Sequence, residues 1–320
     1  MPEFIVKHSG RKHDVARFLH FHPGGANTLK SFEGCDITDQ LLKTQHAPSA
    51  YELLKDYRLK EPSKDDPNEE DLESLVNWEK PMFWQVGSLG SNYNKWVLSP
   101  VDRKLRLFQY DFMELMTVTP WYLVPSVWVP VSLYLMYCGY LRFLNIPPFD
   151  TCSGSFTVAV LFFTAVLGYF IWPLIEYSIH RWIFHITPPD DSPLLITLHF
   201  GIHGLHHKVP FDDQRLLFPP AATALIVWGI HGILRLFLPL FITLPLLAGG
   251  ILGYVTYDLM HFYLHYGSPN EGSYFYHMKR YHNQHHFTNH QHGFGISCPL
   301  WDYVFDTAIK LKKLKYHMKW

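Results

Sequence analysis

Polar and charged side chains dominate residues 1–118, whereas 119–265 carry long apolar runs. Residues 121–144 (WYLVPSVWVPVSLYLMYCGYLRFL) and 156–175 (FTVAVLFFTAVLGYFIWPLI) are two of these. The third, 221–259, is long enough for two segments and is expected to break near Pro239 and Pro245. A spanning helix needs about 20 mostly apolar residues, so the pattern predicts four transmembrane helices. Any one of them alone could be a buried core helix. Four in a chain of 320 residues, with aromatic side chains at their ends, make the reading a membrane one.

The remaining pattern divides the chain into three. Residues 61–73 (EPSKDDPNEEDLE) are acidic and nearly free of apolar side chains, which predicts a linker over 61–77. Residues 1–60 form a small domain, marginal for independent stability unless a cofactor supports it. Residues 78–320 hold the spans. The fold class expected is a mainly α integral membrane protein with a cytosolic helical cap, joined to a small α+β domain.

Charge changes the picture in two ways. The net charge is −1, which excludes the basic surplus of a nucleic-acid partner. Of 27 Lys and Arg residues, only Arg142 and Arg235 fall within 120–180 or 216–275. The positive-inside rule then puts both termini in the cytosol and the connections near 145–155 and 240–245 in the lumen. No apolar stretch opens the chain, so no cleaved signal is expected. The cysteines Cys35, Cys138, Cys152 and Cys298 show no paired spacing and read as free thiols in a reducing compartment.

Histidine carries the candidate chemistry. Four clusters stand at the ends of the spans or beyond them: His180 and His185; His203, His206 and His207; His261 and His265; His282, His285 and His286. All four fall on the cytosolic side of the expected topology. On an α-helix, positions i, i+3 and i+4 share a face, so the second, third and fourth clusters can each converge. His180 and His185 would lie roughly 140° apart on such a helix. Either the helix ends between them or they serve different metals. Ten histidines exceed one coordination sphere and divide into two metals with about five each. Imidazole suits iron, zinc, copper and nickel alike. His290 and His292, before the Gly293-Phe294-Gly295 turn, fall outside the pattern. Glu176 and Asp258, near the ends of apolar helices, are expected to orient the imidazoles by accepting ring N–H protons. Asp302 and Asp306 are weaker candidates for that role.

A second centre is suggested upstream. In DVARFLHFHPGG (14–25), the Pro-Gly-Gly turn follows His22 directly, and His46 comes later in HAPSA. Two histidines on opposed loops can hold a haem from both faces, leaving an iron that transfers electrons and does not activate oxygen.

Residues 4–60 resemble a cytochrome b5 domain, with His22 and His46 at its axial positions for haem b. Such a domain usually begins with a further strand and helix, so a shortened version is expected. Residues 75–310 resemble the fatty acid hydroxylase and sterol desaturase superfamily, whose pattern is HX4H, HX2HH, HX3H and HX2HH. The 2-hydroxylase branch is the nearest, through WEKPMFWQVGSLGSNYNKWV (78–97), WPLIEYSIHRWIFH (172–185), LHFGIHGLHHKVPFD (198–212), RLLFPP (215–220), GYVTYDLMHFYLH (253–265) and GFGISCPLWDYVF (293–305). The resemblance implies an enzyme of the endoplasmic reticulum membrane with two irons, replaceable by zinc in purified protein. It implies O2-dependent hydroxylation of carbon 2 of long-chain fatty acids or acyl chains, giving (R)-2-hydroxy products for ceramides and other sphingolipids. Electrons would come from NAD(P)H through cytochrome b5 reductase or cytochrome P-450 reductase.

An unactivated C–H bond calls for a metal-based oxidant, which neither a serine nucleophile nor a general base supplies. The acyl chain is expected to rise from the cytosolic leaflet between spans, past the aromatics of RWIF (181–184) and HFYLH (261–265). A sterol desaturase or methyl oxidase shares the histidine pattern and is the alternative. A metal transporter would place its ligands near the bilayer midplane, unlike these clusters. A membrane-anchored haem carrier would leave ten histidines without a role.

Overall fold

The computed structural model describes residues 3–44, 46–59, 71–146 and 153–311. The N-terminal part opens with a hairpin, β1 (Ile5–His8) and β2 (Arg11–Asp14), paired antiparallel with Val6 opposite His13. Three short helices follow: α1 (Ala26–Lys30), α2 (Thr38–Lys43) and α3 (Pro48–Asp56). Val6, Val15, Ile37, Leu53 and Leu54 close a small core between them. Alternation along β1 buries Phe4 and Val6 and turns Lys7 to solvent, the half-buried strand pattern.

The expected linker is only partly visible. Residues 60–70 lie outside the described residues. Its C-terminal end is packed: Leu72 and Val76 enter a core with Met82, Trp96 and Phe200. Glu73 reaches the fully buried Lys208, whose Nζ also donates to the carbonyls of Trp96 and Ser99. The few apolar residues in DLESLV are therefore part of the cap and not of a solvated tether. The short helices α4 (Tyr93–Val97) and α5 (Asp111–Leu115) complete this layer.

Among the described residues, four helices are long and apolar enough to cross a membrane: α6 (Leu123–Leu144), α7 (Gly154–Ile179, extended by a π-helical turn to Phe184), α10 (Pro220–Phe237) and α11 (Leu240–Tyr266). Between α7 and α10 lie α8 (Pro193–His199) and α9 (Leu205–Lys208), and after α11 come α12 (Tyr274–Phe287) and α13 (Leu300–Val304). Large apolar side chains such as Phe163, Phe170, Trp228 and Phe237 point outward, as a lipid solvent requires. The third run breaks once, at Leu238 and Pro239, which adopt extended backbone. Pro245 does not break it and stays inside α11, stacked on Gly139 of α6. Helix α11 is the central one. It approaches α7 so closely that a Cβ on Gly249 would lie 1.8 Å from the Ala165 carbonyl oxygen. Small residues at such crossings let backbones meet where no hydrophobic force drives association.

Candidate metal centre

The ten histidines of the four clusters all gather at one end of the helix bundle, and nine of them are buried. His180 sits at the end of α7, and His261 and His265 lie in the last turns of α11. His203, His206 and His207 come from the π-turn Phe200–Gly204 and α9, and the last three from α12.

The structure sorts them into two groups, and the sorting cuts across the clusters. His206, His261, His265, His282 and His286 bring one ring nitrogen each within 4.8 Å of all the others. His180, His185, His203 and His285 do the same in a second group. His207 joins the second, with its Nε2 at 3.0 Å from that of His203. Each HX2HH triplet is thus shared. Its members stand on one helical face, as expected, but they do not converge on one point. The triplet lies along the boundary between the groups and sends side chains to both.

His180 and His185 belong together although an α-helix would part them. The chain from His180 to Phe184 is a π-turn, closed by the bond from the His185 N–H to the His180 carbonyl at 3.1 Å. An i to i+5 bond brings residues five apart into register, so neither a helix end nor two different metals is needed.

These nitrogens fit a cation. His180 Nδ1 faces the Phe294 carbonyl at 2.6 Å, and His285 Nδ1 faces the His292 carbonyl at 2.8 Å. A carbonyl only accepts, so both Nδ1 atoms carry the proton and both Nε2 atoms present lone pairs. The Nε2 atoms of His180, His185 and His203 form a triangle with edges of 3.2, 3.2 and 3.1 Å. In the other group, His282 Nε2 lies 3.0 Å from His261 and 2.9 Å from His265. A metal–nitrogen bond of about 2.1 Å makes an octahedral edge about 3.0 Å and a tetrahedral edge about 3.4 Å. The observed spacings fall in and around that range. Among the described residues, both ring nitrogens of buried His206 and His286 lack a hydrogen-bond partner, as does His285 Nε2. Buried polar atoms without partners are costly unless something coordinates them.

Electrostatics favour the ligand form. Burial, reinforced by neighbouring imidazoles, holds His185, His203, His206, His207, His282 and His286 well below the ordinary histidine range. Burial, with His180 close by, does the same to His285. Neutral imidazole is the metal-binding state.

The two carboxylates expected to orient the rings do not touch them. Glu176 is buried and accepts from the N–H groups of Ile296 (2.6 Å) and Ser297 (2.8 Å) and from the Ser297 hydroxyl. Asp258 accepts from the Tyr254 hydroxyl at 2.9 Å. Backbone carbonyls orient the imidazoles instead: Phe294 for His180, His292 for His285 and Pro210 for His265. Glu176 acts one step out, by pinning the loop that presents the Phe294 carbonyl. Asp302 holds the same loop through the N–H groups of Phe294 (2.9 Å) and Gly295 (2.8 Å) and the Thr307 hydroxyl (2.8 Å). Asp306 is exposed and stands apart. The Gly293 φ of +77° is what this loop requires. His292 therefore contributes through its backbone, and the His290 ring lies beside His207, with centroids 5.9 Å apart.

A cavity of about 160 Å³ runs between α7, α10 and α11, lined almost wholly by apolar side chains. Phe184, Phe218 and Tyr257 line the end nearest the histidines. Phe184 stacks on His203 and Tyr257 on His261, one in each group.

In the N-terminal domain His22 is buried beside the half-buried His46, with ring centroids 6.2 Å apart. Two bonds of about 2 Å, and about 1 Å more from each nitrogen to its ring centre, would set two imidazoles about 6 Å apart across one iron. His22 Nδ1 faces the Gly25 carbonyl at 3.2 Å, and His46 Nδ1 faces Thr44 Oγ1 at 2.6 Å. These contacts engage Nδ1 of each ring and leave Nε2 as the atom that can meet a metal.

A bundle of apolar helices under a double histidine cage, with a haem-type domain beside it, defines a class: the membrane-bound, histidine-rich oxidoreductases. Comparison with known proteins narrows the class. Residues 165–307 match the fatty acid hydroxylase family, and residues 4–61 match the cytochrome b5-like heme/steroid binding domain. The chain is 41% identical to fatty acid 2-hydroxylase of Homo sapiens, over 98% of this chain and 92% of that one. It is 39% identical to a dihydroceramide fatty acyl 2-hydroxylase of Arabidopsis thaliana, over 74% of this chain and 94% of that one. A solved structure titled full-length scs7p, with only its hydroxylase domain visible, superposes with a TM-score of 0.63 at 31% identity, covering 74% of this chain and 86% of that one. The chain belongs to the fatty acid 2-hydroxylase family and carries a cytochrome b5-like domain over residues 4–61.

Proposed function

We propose that this protein inserts a hydroxyl group at carbon 2 of long-chain fatty acids or acyl chains, with the (R) configuration, for 2-hydroxylated sphingolipids. The observation that carries the reading is the apolar cavity ending on Phe184 and Tyr257, which lie against both histidine groups. An acyl tail buried there puts its first carbons at the cage. The names borne by the relatives support the same substrate class.

The ten histidines are proposed to hold two irons, one per group, with zinc able to stand in. Bound iron would supply the O2-dependent oxidation that an unactivated C–H bond needs. The chain's own residues do the rest. The carbonyls of Phe294, His292 and Pro210 fix the ring tautomers. Phe184 and Tyr257 close the floor of the cage against water. His22 and His46 are proposed as the axial ligands of haem b in domain 1–60, and 78–320 as the hydroxylase body. The setting proposed is the endoplasmic reticulum membrane with both termini cytosolic, and an NAD(P)H-dependent reductase as the electron source.

The test is expression in cells that lack 2-hydroxylation, followed by mass spectrometry of their sphingolipids. The wild type should yield 2-hydroxylated acyl chains and His282→Ala should yield none. Folded, metal-loaded protein that produces no such lipid, or that oxidises a methyl sterol instead, would overturn the reading.

A further inference from the structure

The cytochrome b5-like domain is not held at arm's length. Asp56 at the end of α3 accepts from Arg103 Nε at 2.5 Å and from the Asp102 N–H at 2.9 Å. Asp102 in turn accepts from the Tyr57 hydroxyl at 3.0 Å, and Arg17 pairs with it at 3.2 Å. Ser49 donates to the Phe287 carbonyl at 2.5 Å, just past the last histidine of α12.

Beside these bonds runs a row of aromatic rings. Phe18 packs edge-on against His22 (centroids 5.8 Å) and also against Phe211 (5.8 Å). Phe21 packs on Phe211 at 4.7 Å and on Tyr266 at 5.4 Å. Phe211 stacks on Phe287 at 6.3 Å, and the Tyr266 hydroxyl donates to the Phe211 carbonyl at 2.7 Å. Tyr266 and Phe287 are the chain neighbours of His265 and His286. Both of those histidines belong to the five-membered group, and neither belongs to the other.

We infer that the N-terminal domain is docked on the cap across Phe211, and that electrons from its haem enter the hydroxylase body at the five-histidine group and not at the other. The inference rests on the reading of the two histidine pairs and groups as haem and metal sites. The step is a one-electron transfer. Ferrous haem becomes ferric, and the ferric ion at the five-histidine group becomes ferrous. An NAD(P)H-dependent flavin reductase replaces the electron on the haem. Tyr266 and Phe211 are positioning residues here, because they fill the space between the two centres and fix its width.

The experiment uses full-length protein in detergent and reads two signals other than hydroxylation. The first is hydrogen exchange at 209–213 and 285–288. Asp56→Arg should raise exchange there, and Asp56→Arg with Arg103→Asp should restore protection. Exchange unchanged in the single variant would overturn docking, whatever the enzyme makes.

The second signal is anaerobic reoxidation of flash-reduced haem, followed by absorbance. It should be fast with ferric iron loaded and absent with redox-inert zinc. Phe211→Ala should slow it by about tenfold while leaving the haem spectrum and metal content unchanged. His285→Ala, which strips the other group, should retain the first electron transfer, and His282→Ala should abolish it. The reverse result for these two variants, or an unchanged rate in Phe211→Ala, would overturn the assignment.

Discussion

His180 and His185 bring their Nε2 atoms to 3.2 Å of one another across a single π-turn. The sites are therefore defined by space and not by motif. His185→Ala and His285→Ala lie a hundred residues apart in chain but in the same group, and each should lower bound metal from roughly two equivalents to roughly one. Combining them should cost no further metal. His285→Ala with His286→Ala, neighbours in sequence, should lose both ions. Elemental analysis of the purified variants checks this. Loss of both ions from His185→Ala with His285→Ala, and of only one from His285→Ala with His286→Ala, would mean that the HX2HH triplets are the binding units after all.

Glu176 is the keystone of the loop that orients His180. Glu176→Ala leaves the N–H groups of buried Ile296 and half-buried Ser297 without a partner, at a cost of roughly 2 kcal/mol. With the Phe294 carbonyl released, metal affinity should fall by about tenfold to a hundredfold. Ser297→Ala removes only one of the three bonds and should be much milder. Chelator competition and amide exchange at Ile296 report the two effects. If metal affinity fell with no loosening of the loop, Glu176 would have to act on the histidines by another route.

The spans were readable as runs because lipid demands apolar side chains on every outward face. The small N-terminal domain was readable from the acidic stretch that follows it and from the HPGG turn, but its core was not read from the letters. The π-turns were not readable, since a period of 3.6 assigns His180 and His185 to different faces. Nor were the ring-orienting partners. Any residue has a carbonyl, so nothing in the letters marks Phe294 or His292. Glu176 and Asp258 were recognisable as carboxylates near the ends of apolar helices, but the partner of Glu176, a loop 120 residues away, is set by tertiary packing, and that of Asp258, Tyr254, stands one turn back on its own helix. Pro245 misled for a similar reason: α6 covers it, so the helix continues through it.

The haem ligands carry a pH dependence of definite sign. Burial lowers His22 to about 4, with the Gly25 carbonyl opposing and His46 adding a little, and burial lowers His46 as well. The unfolded chain takes up these protons near 6.5, where the folded one refuses them. The stabilisation is thus fully present above 6.5 and is lost as pH falls toward 4, by roughly 3 kcal/mol for His22. Haem-free protein should show β1 and β2 amides exchanging progressively faster through that window. A flat profile would contradict it. Bound haem iron, competing with the proton at Nε2, should move the loss to lower pH.

Two adjacent glycines on α11 separate packing from substrate fit. A Cβ on Gly249 would lie 1.8 Å from the Ala165 carbonyl oxygen, so Gly249→Ala must force α7 and α11 apart. It should lower stability by about 1–3 kcal/mol and reduce the yield of folded protein with no change in product pattern. Gly250 lines the cavity, and a Cβ there meets only the Gly168 carbonyl, at 3.8 Å. Gly250→Leu should fold and then fill the slot where an acyl tail would lie. Each buried methylene of substrate is worth about 0.8 kcal/mol, so blocking the slot should shift products toward shorter chains more than it slows the shortest ones. Mass spectrometry of the 2-hydroxylated acyl chains resolves the distribution directly. An unchanged distribution in Gly250→Leu would mean that the tail lies elsewhere, against the outer surface of α10 or in the lipid itself.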